Sequence, residues 1–121
     1  MIVYKNLFLF PEIEFNFYIE RKIRIFKLEY NLKIVVADNI DFEKKDIARL
    51  RELGEVKQYE SHCKNESDVI SRLQNADIGI VLVSPITKKV LKHCNKLKML
   101  TIGSTGYDHV DLEEATKQDI V

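Results

Sequence analysis

With 121 residues, the chain has the length of one domain and can bury roughly two thirds of its unfolded surface. Hydrophobic residues make up 45% and charged residues 31%, which is the balance of a folded domain rather than of a disordered chain. The 19 basic residues equal the 19 acidic residues, so the formal net charge is zero. This balance argues against a general nucleic-acid or anionic-membrane binder, because such proteins concentrate positive charge.

The chain also lacks the marks of a membrane or secreted protein. No stretch approaches the ~18 consecutive apolar residues of a membrane span. Lys5 and Glu12 interrupt the apolar N-terminal residues and no small-residue cleavage site follows, so we expect no secretory signal. Two cysteines, Cys63 and Cys94, are too few for a disulfide scaffold. We therefore expect a cytoplasmic protein with no membrane and no nucleic-acid partner.

Residues 1–30 differ in composition from the remainder of the chain. They contain five of the six phenylalanines and no glycine. Residues 12–17 alternate like a strand, whereas residues 19–28 mix charged and aliphatic residues without a clean period. We interpret 1–30 as an N-terminal extension, either an element packed on the domain or translated sequence upstream of an ancestral start.

From residue 31 onward, short apolar runs alternate with stretches whose apolar residues recur near helical spacing. Gly54 marks the end of the first helix, and Thr87 is the predicted N-cap of the third. The run 78–83 is the most continuous apolar one and predicts a central strand covered on both faces. The predicted elements are a strand at 32–37, a helix at 42–53, a strand at 55–59, a helix at 67–75, a strand at 78–83, a helix after Thr87, a strand at 97–102, a helix at 112–117 and the start of a fifth strand at 120–121.

This alternation predicts an α/β fold for residues 31–121, a flavodoxin-like, doubly wound parallel sheet of about four to five strands. Ligands of such sheets bind at the carboxyl ends of the strands. Three strand ends carry polar or glycine residues, namely Asp38-Asn39, Ser84-Pro85 and Gly103 to Gly106. A binding site is therefore expected at one or more of these positions.

The loop 103–106 is the strongest of the three candidates. It follows a buried strand and precedes a helix, a junction at which backbone N–H groups can converge on an anion. The N–H groups of Thr105 and Gly106 are placed to hold a carboxylate or a phosphate. The alternative is a tight turn that needs glycine only for its geometry. The residue types alone leave both interpretations open.

The run Ser104-Thr105-Gly106-Tyr107-Asp108-His109-Val110-Asp111-Leu112 resembles a characteristic segment of the D-isomer-specific 2-hydroxyacid dehydrogenases. A weaker match extends back to the first strand at Leu32, so the resemblance covers about 90 residues. The other matching segments are Ala76-Asp77-Ile78, Ser84-Pro85-Ile86-Thr87, Leu97-Lys98, Ala115 and Ile120-Val121.

The resemblance implies that residues 31–121 belong to the substrate-binding domain of an NAD- or NADP-dependent oxidoreductase that reversibly reduces 2-keto acids. In that family, the loop matching Ser104, Thr105 and Gly106 gives backbone N–H groups to the substrate carboxylate, and Ser84 lies nearby. The resemblance also implies a small 2-hydroxy or 2-keto acid as ligand and a homodimer as the intact protein.

Three neighbouring residues match other positions of the family. Asp108 and Asp111 match acidic residues that brace the loop and cap the following helix. His109 stands where relatives often have asparagine, and it does not match the family's catalytic histidine.

The sequence departs from the family in what it lacks. The stretch 103–106 does not have Gly-x-Gly-x-x-Gly spacing, so it is no dinucleotide fingerprint. The resemblance implies that the coenzyme-binding domain and the catalytic arginine, glutamate and histidine lie outside this chain. We therefore expect a fragment without catalytic or cofactor-binding residues, inactive alone, with exposed apolar surface and a tendency to associate.

Three other interpretations compete with this one. The first is a non-catalytic flavodoxin-like module that binds a small anion or a protein partner. The second is a metal site at His62-Cys63 and His93-Cys94, which we do not expect because adjacent residues of a regular element point in different directions. The third is a phosphoacceptor receiver built on Asp38, which is disfavoured because Ser84-Pro85 stands where a receiver needs an acidic residue.

Overall fold

The computed structural model describes residues 2–3, 32–104 and 106–121. Residues 1 and 4–31, with the alternating stretch 12–17, and Thr105 lie outside the described residues. The elements are, in chain order, β1 (Ile2–Val3), β2 (Lys33–Val36), α1 (Lys44–Leu53), β3 (Glu55–Gln58), α2 (Glu66–Leu73), β4 (Ile78–Val81), α3 (Lys88–His93), β5 (Met99–Ile102) and α4 (Leu112–Lys117).

The strands form one sheet in the order β1-β5-β4-β2-β3, and every neighbouring pair is parallel. β4 lies at the centre with all four residues buried, which confirms the central strand that its apolar run predicts. Gly79 allows close packing there, since an added Cβ would lie 3.1 Å from Leu100 Cδ1 and 3.2 Å from Leu73 Cδ2. The predicted α/β fold is confirmed.

The core has two halves, one on each face of the sheet. Helix α1 covers one face with Ile47, Leu50 and Leu53, which pack with alternate residues of β2 and β4. Helices α2, α3 and α4 supply side chains to the opposite cluster, among them Val69, Leu73, Val90, Leu91 and Ala115. Both faces of the sheet are thus covered, as a doubly wound arrangement requires.

The helix caps follow from residues that are close in the sequence. Thr87 Oγ1 accepts a hydrogen bond from the N–H of Val90 at 3.3 Å, and Asp111 Oδ1 accepts one from Glu114 at 2.9 Å. These contacts confirm Thr87 as the N-cap of α3 and Asp111 as the N-cap of α4. They also fix where each helix begins, and therefore where the two loops that precede the helices end.

Several strands are shorter than their apolar runs predict. β4 ends at Val81 instead of residue 83, because the N–H groups of Leu82 and Val83 donate to the Asp38 carboxylate rather than to a neighbouring strand. Residues 120–121, which the sequence predicts to begin a fifth strand, do not form a strand. Val121 nevertheless makes two backbone hydrogen bonds to the outer edge of β5.

Candidate functional site

An open cleft of about 270 Å³ lies at the carboxyl ends of the central strands. This is the edge at which parallel α/β sheets bind their ligands. A second hollow of about 510 Å³ adjoins the cleft and shares Asp108 and His109 with it. The lining of the cleft consists of Leu82, Val83, Ser104, Gly106, Asp108 and His109.

Two residues of the predicted binding loop, Ser104 and Gly106, lie together in this cleft. Ser104 Oγ donates a hydrogen bond to the carbonyl oxygen of Gly106 at 2.6 Å, which closes a short turn. Within the described part of the chain, the N–H groups of Ser104 and Gly106 have no hydrogen-bond partner. The third predicted residue, Thr105, lies outside the described residues. Among the described residues, the loop therefore has two backbone N–H donors without a partner.

Gly106 is exposed, and an added Cβ would meet no atom within 4 Å. No described glycine adopts a positive φ, so this position does not need glycine for its backbone conformation. The absence of a side chain instead leaves open space beside the loop, where a ligand can approach the backbone.

Ser84, the fourth predicted site residue, does not reach the cleft. It is fully buried, and its Oγ donates to Asp38 Oδ1 at 2.7 Å. Asp38 Oδ2 accepts three backbone N–H groups, from Leu82 at 2.7 Å and from Val83 and Ser84 at 2.9 Å. Ser84 thus acts beneath the cleft by helping Asp38 to hold the loop 82–84, and its hydroxyl is not available to a ligand there.

The carboxylate of Asp38 is a buried hydrogen-bond acceptor. Burial raises the pKa of Asp38, but the Ser84 hydroxyl and the N–H groups of Leu82, Ser84 and Val83 outweigh burial and lower this pKa to about 2. Asp38 also accepts from the N–H of Cys63 at 3.3 Å. Because the side chain is inaccessible and its oxygens are engaged, it has no room for a transferred phosphoryl group, which removes the receiver interpretation.

The two acidic residues that follow the loop differ in what they do. Asp111 caps α4 as predicted, and the strand-like bridge between Ile86 and Val110 fixes the backbone before it. Asp108 is exposed, and its carboxylate makes no hydrogen bond within the described part of the chain. The bracing expected of Asp108 is therefore not seen. His109 lines the cleft, and its Nε2 is buried without a hydrogen-bond partner in the same part of the chain.

The two His-Cys pairs serve separate parts of the fold. Cys94 is completely buried in the core, and burial raises the pKa of its thiol to about 11. Cys63 is half-buried next to Asp38, and burial raises its pKa as well. Among the described residues, no three His, Cys, Asp or Glu side chains are grouped so that they could hold a metal ion. None of the described helices has the length and apolar character needed to cross a bilayer.

The described residues form a doubly wound parallel α/β domain with an open cleft at the carboxyl ends of its strands. The model of the family "D-isomer specific 2-hydroxyacid dehydrogenase, catalytic domain" matches residues 34–121. The chain belongs to this family.

Individual proteins show the same relationship. The chain is 36% identical over 91 residues to a glycerate dehydrogenase of Methylorubrum extorquens. This alignment covers 73% of this chain and 27% of the dehydrogenase. Its fold is similar to that of an acyclic imino acid reductase in complex with NADPH and D-Arg, with a TM-score of 0.69 and 29% sequence identity. The match covers 74% of this chain and 29% of the reductase. The fold is also similar to that of an NAD+-bound 3-phosphoglycerate dehydrogenase of Entamoeba histolytica, with a TM-score of 0.63 and 30% sequence identity. That match covers 76% of this chain and 32% of the other. The chain spans less than a third of the length of each relative.

Proposed function

We propose that residues 31–121 are a portion of the substrate-binding domain of an NAD(P)-dependent oxidoreductase that interconverts 2-hydroxy and 2-keto acids. In this proposal, the loop 104–106 binds the substrate carboxylate through backbone N–H groups. The observation that supports the proposal is that Ser104 and Gly106 line the cleft and that their N–H groups have no hydrogen-bond partner among the described residues. Such groups bind carboxylates because successive backbone N–H dipoles converge on the negative charge. Thr105 is proposed as a further donor.

The residues present do not fit a dinucleotide. The four glycines of the chain are Gly54, Gly79, Gly103 and Gly106, and no two of them have the Gly-x-Gly spacing of the pyrophosphate-binding turn. In the proposed function, a nicotinamide coenzyme supplies the hydride chemistry, and its binding residues lie outside this chain. The chain's own contribution is to bind and orient the acid.

Two exposed side chains support the proposal that the carboxyl edge of the sheet contacts another domain in a complete enzyme. Val83 is 53% exposed and Tyr107 is 38% exposed, and both belong to the loops that form the cleft. Large apolar side chains at the rim of a cleft are typical of surfaces that contact another domain. We further propose a homodimeric complete protein in the cytoplasm, as the resemblance implies.

A titration followed by NMR tests the carboxylate site. Adding glycerate to the isotope-labelled chain is expected to shift the amide resonances of Ser104 and Gly106. Glycerol, which lacks the carboxylate, is expected to shift neither. The variant Gly106→Ala places a methyl group in the open space beside the loop and is expected to weaken glycerate binding several-fold. Equal shifts with glycerol, or shifts confined to residues outside the cleft, would contradict the proposed site.

An activity assay tests the absence of catalytic machinery separately. The purified chain is expected to oxidise no NADH or NADPH in the presence of hydroxypyruvate or another 2-keto acid. This outcome follows because the chain has no glycine-rich turn to position a nicotinamide against the substrate. Measurable turnover that survives repurification would refute the assignment of the coenzyme site to residues outside the chain, and it would leave the carboxylate site standing.

A further inference from the structure

A recess of about 150 Å³ lies between strand β3 and helix α2, and it shares no lining residue with the cleft. The strand register explains how it forms. Lys33 and Val35 of β2 pair with Glu55 and Lys57 of β3, so these four side chains share one face of the sheet. Val35 is buried in the core cluster to which α2 contributes, whereas Glu55 and Lys57 are exposed. Helix α2 thus covers this face of β2 and leaves the same face of β3 open.

Positive charge is concentrated in this recess, although the chain as a whole has no net charge. Three cationic side chains line it, against one carboxylate: Lys33, Lys57 and Arg72, and Glu55. Among the described residues, neither lysine forms an ion pair, with Glu55 or with any other carboxylate. Like charges that converge without a counterion repel one another, and a bound anion relieves this repulsion. The recess therefore favours an anionic ligand.

The guanidinium group of Arg72 is held in a fixed position at this recess. Its Nη1 donates to the carbonyl oxygens of Ala37 at 2.7 Å and Ser61 at 2.5 Å, and its Nη2 donates to Ser61 Oγ at 2.9 Å. The Arg72 guanidinium carbon lies 4.3 Å from the centre of the Tyr59 ring, and Lys57 Nζ lies 5.0 Å from the same centre. In the described part of the chain, the Nε–H and one Nη2–H of Arg72 have no partner. Because the group is already immobilised, these donors can bind an anion with little further loss of side-chain entropy.

We propose that this recess is a binding site for a phosphoryl dianion, supplied as inorganic phosphate or as a small phosphate ester. A phosphoryl group carries a charge of about −1.5 to −2 at pH 7, which matches the excess of cations better than the single charge of a carboxylate. The volume of about 150 Å³ suits a group the size of benzene. It is smaller than the roughly 300–1,000 Å³ of sites for larger ligands, which argues against a nucleotide. Ser71 and Asn75, which also line the recess, add neutral donors for phosphoryl oxygens. The proposal does not depend on the substrate chemistry of the cleft.

The first arm of the experiment titrates the isotope-labelled chain with inorganic phosphate and follows it by NMR. Sodium chloride holds the ionic strength constant, so that general screening does not change during the titration. The amide of Lys57 and the Nε–H of Arg72 are expected to shift and to saturate together. Acetate, with a single charge, is expected to bind there about tenfold or more weakly. Shifts that do not saturate, or equal affinities for acetate and phosphate, would overturn the proposal. The amides of Ser104 and Gly106 report separately on the cleft.

The second arm removes two cations at a time. The double variant Lys33→Gln, Lys57→Gln is expected to weaken phosphate binding by about tenfold or more, because two charged contacts are lost. The matched control, Lys92→Gln with Lys96→Gln, removes the same charge from exposed positions outside the recess and is expected to change the affinity by no more than about twofold. Equal weakening in both double variants would refute the site, because general attraction to the chain would then explain the binding. Urea denaturation without phosphate verifies that both variants are folded.

The third arm identifies the source of the phosphoryl group. Glycerol phosphate is titrated beside inorganic phosphate, with glycerol as the uncharged control. Tighter binding of glycerol phosphate assigns the recess to a phosphate ester, and tighter binding of inorganic phosphate assigns it to the free anion. Glycerol is expected to shift neither the Lys57 amide nor the Arg72 Nε–H. Shifts of the same size with glycerol alone would contradict the recognition of a phosphoryl group.

Discussion

Replacing Asp38 with alanine is expected to lower the free energy of unfolding by about 3–5 kcal/mol, which is the cost of removing one partner from a buried charged network. The carboxylate of Asp38 accepts three successive backbone N–H groups and the hydroxyl of Ser84. Without it, these donors lose their acceptor, and each donor left buried and unpaired costs about 1–3 kcal/mol. Urea denaturation measures the change as a shift in midpoint at constant slope.

The Asp38 carboxylate also makes the free energy of unfolding depend on pH in the acid range. Because the native pKa of Asp38 is lowered from 3.8 to about 2, folding favours the ionised form. The stabilisation is fully present above pH about 4 and is lost as the pH falls through about 2, a total of about 2 kcal/mol. Asp38→Asn removes this group's titration, so its stability is expected to change less than that of the parent chain between those pH values. Parallel pH curves for the two proteins would contradict this.

A nearby carboxylate serves as the control for Asp38. Asp41 is exposed and lies three residues further along the chain. Asp41→Asn is expected to change the free energy of unfolding by no more than about 0.5 kcal/mol. A loss similar to that of Asp38→Ala would mean that general charge balance, and not the engagement of Asp38 with the loop 82–84, determines the effect. Because Leu82 and Val83 line the cleft, Asp38→Asn is also expected to shift their amide resonances.

The sequence predicts best those features whose partners are close along the chain. The caps at Thr87 and Asp111 join residues three positions apart, and the helix 112–117 has the bounds that its pattern predicts. The role of Ser84 depends on Asp38, which lies 46 residues away, so no local pattern contains it. The sequence presents Asp38 only as a polar residue at a strand end and as a disfavoured phosphoacceptor. Its position after β2 and beside the end of β4 becomes informative once the parallel pairing of those strands is known.

A partner distant in the sequence also explains why β4 ends at Val81 and not at residue 83, where the apolar run ends. Apolar residues continue to position 83 and predict a longer strand, but the Asp38 carboxylate binds the N–H groups of Leu82 and Val83 and turns the backbone away from the sheet. A long-range polar contact thus overrides a local apolar pattern. The turned residues are also those that form one wall of the cleft, so the feature that the pattern missed is the one that shapes the candidate site.

Replacing Gly54 with alanine is expected to destabilise the fold by about 1–3 kcal/mol, as overpacking of a core does. Gly54 follows α1 with a φ of 175°, which is extended backbone open to any residue, so its conformation does not require glycine. The requirement is steric, because an added Cβ would lie 2.6 Å from the carbonyl oxygen of Leu32. That oxygen accepts the N–H of Glu55 at 3.0 Å, and Leu32 itself is buried, so the backbone has little freedom to move away.

The substitution Gly106→Ala isolates this steric cause. Both variants reduce the conformational entropy of the unfolded chain in the same way, which alone stabilises by about 0.4–1 kcal/mol. At Gly106 the added methyl group meets no atom within 4 Å, so Gly106→Ala is expected to be neutral or slightly stabilising. The difference in unfolding free energy between the two alanine variants therefore measures the close approach of α1's end to Leu32. Equal changes in unfolding free energy at both positions would show that the backbone near Leu32 moves away from the added methyl group without an energetic cost. Gly54 would then serve only to end the helix.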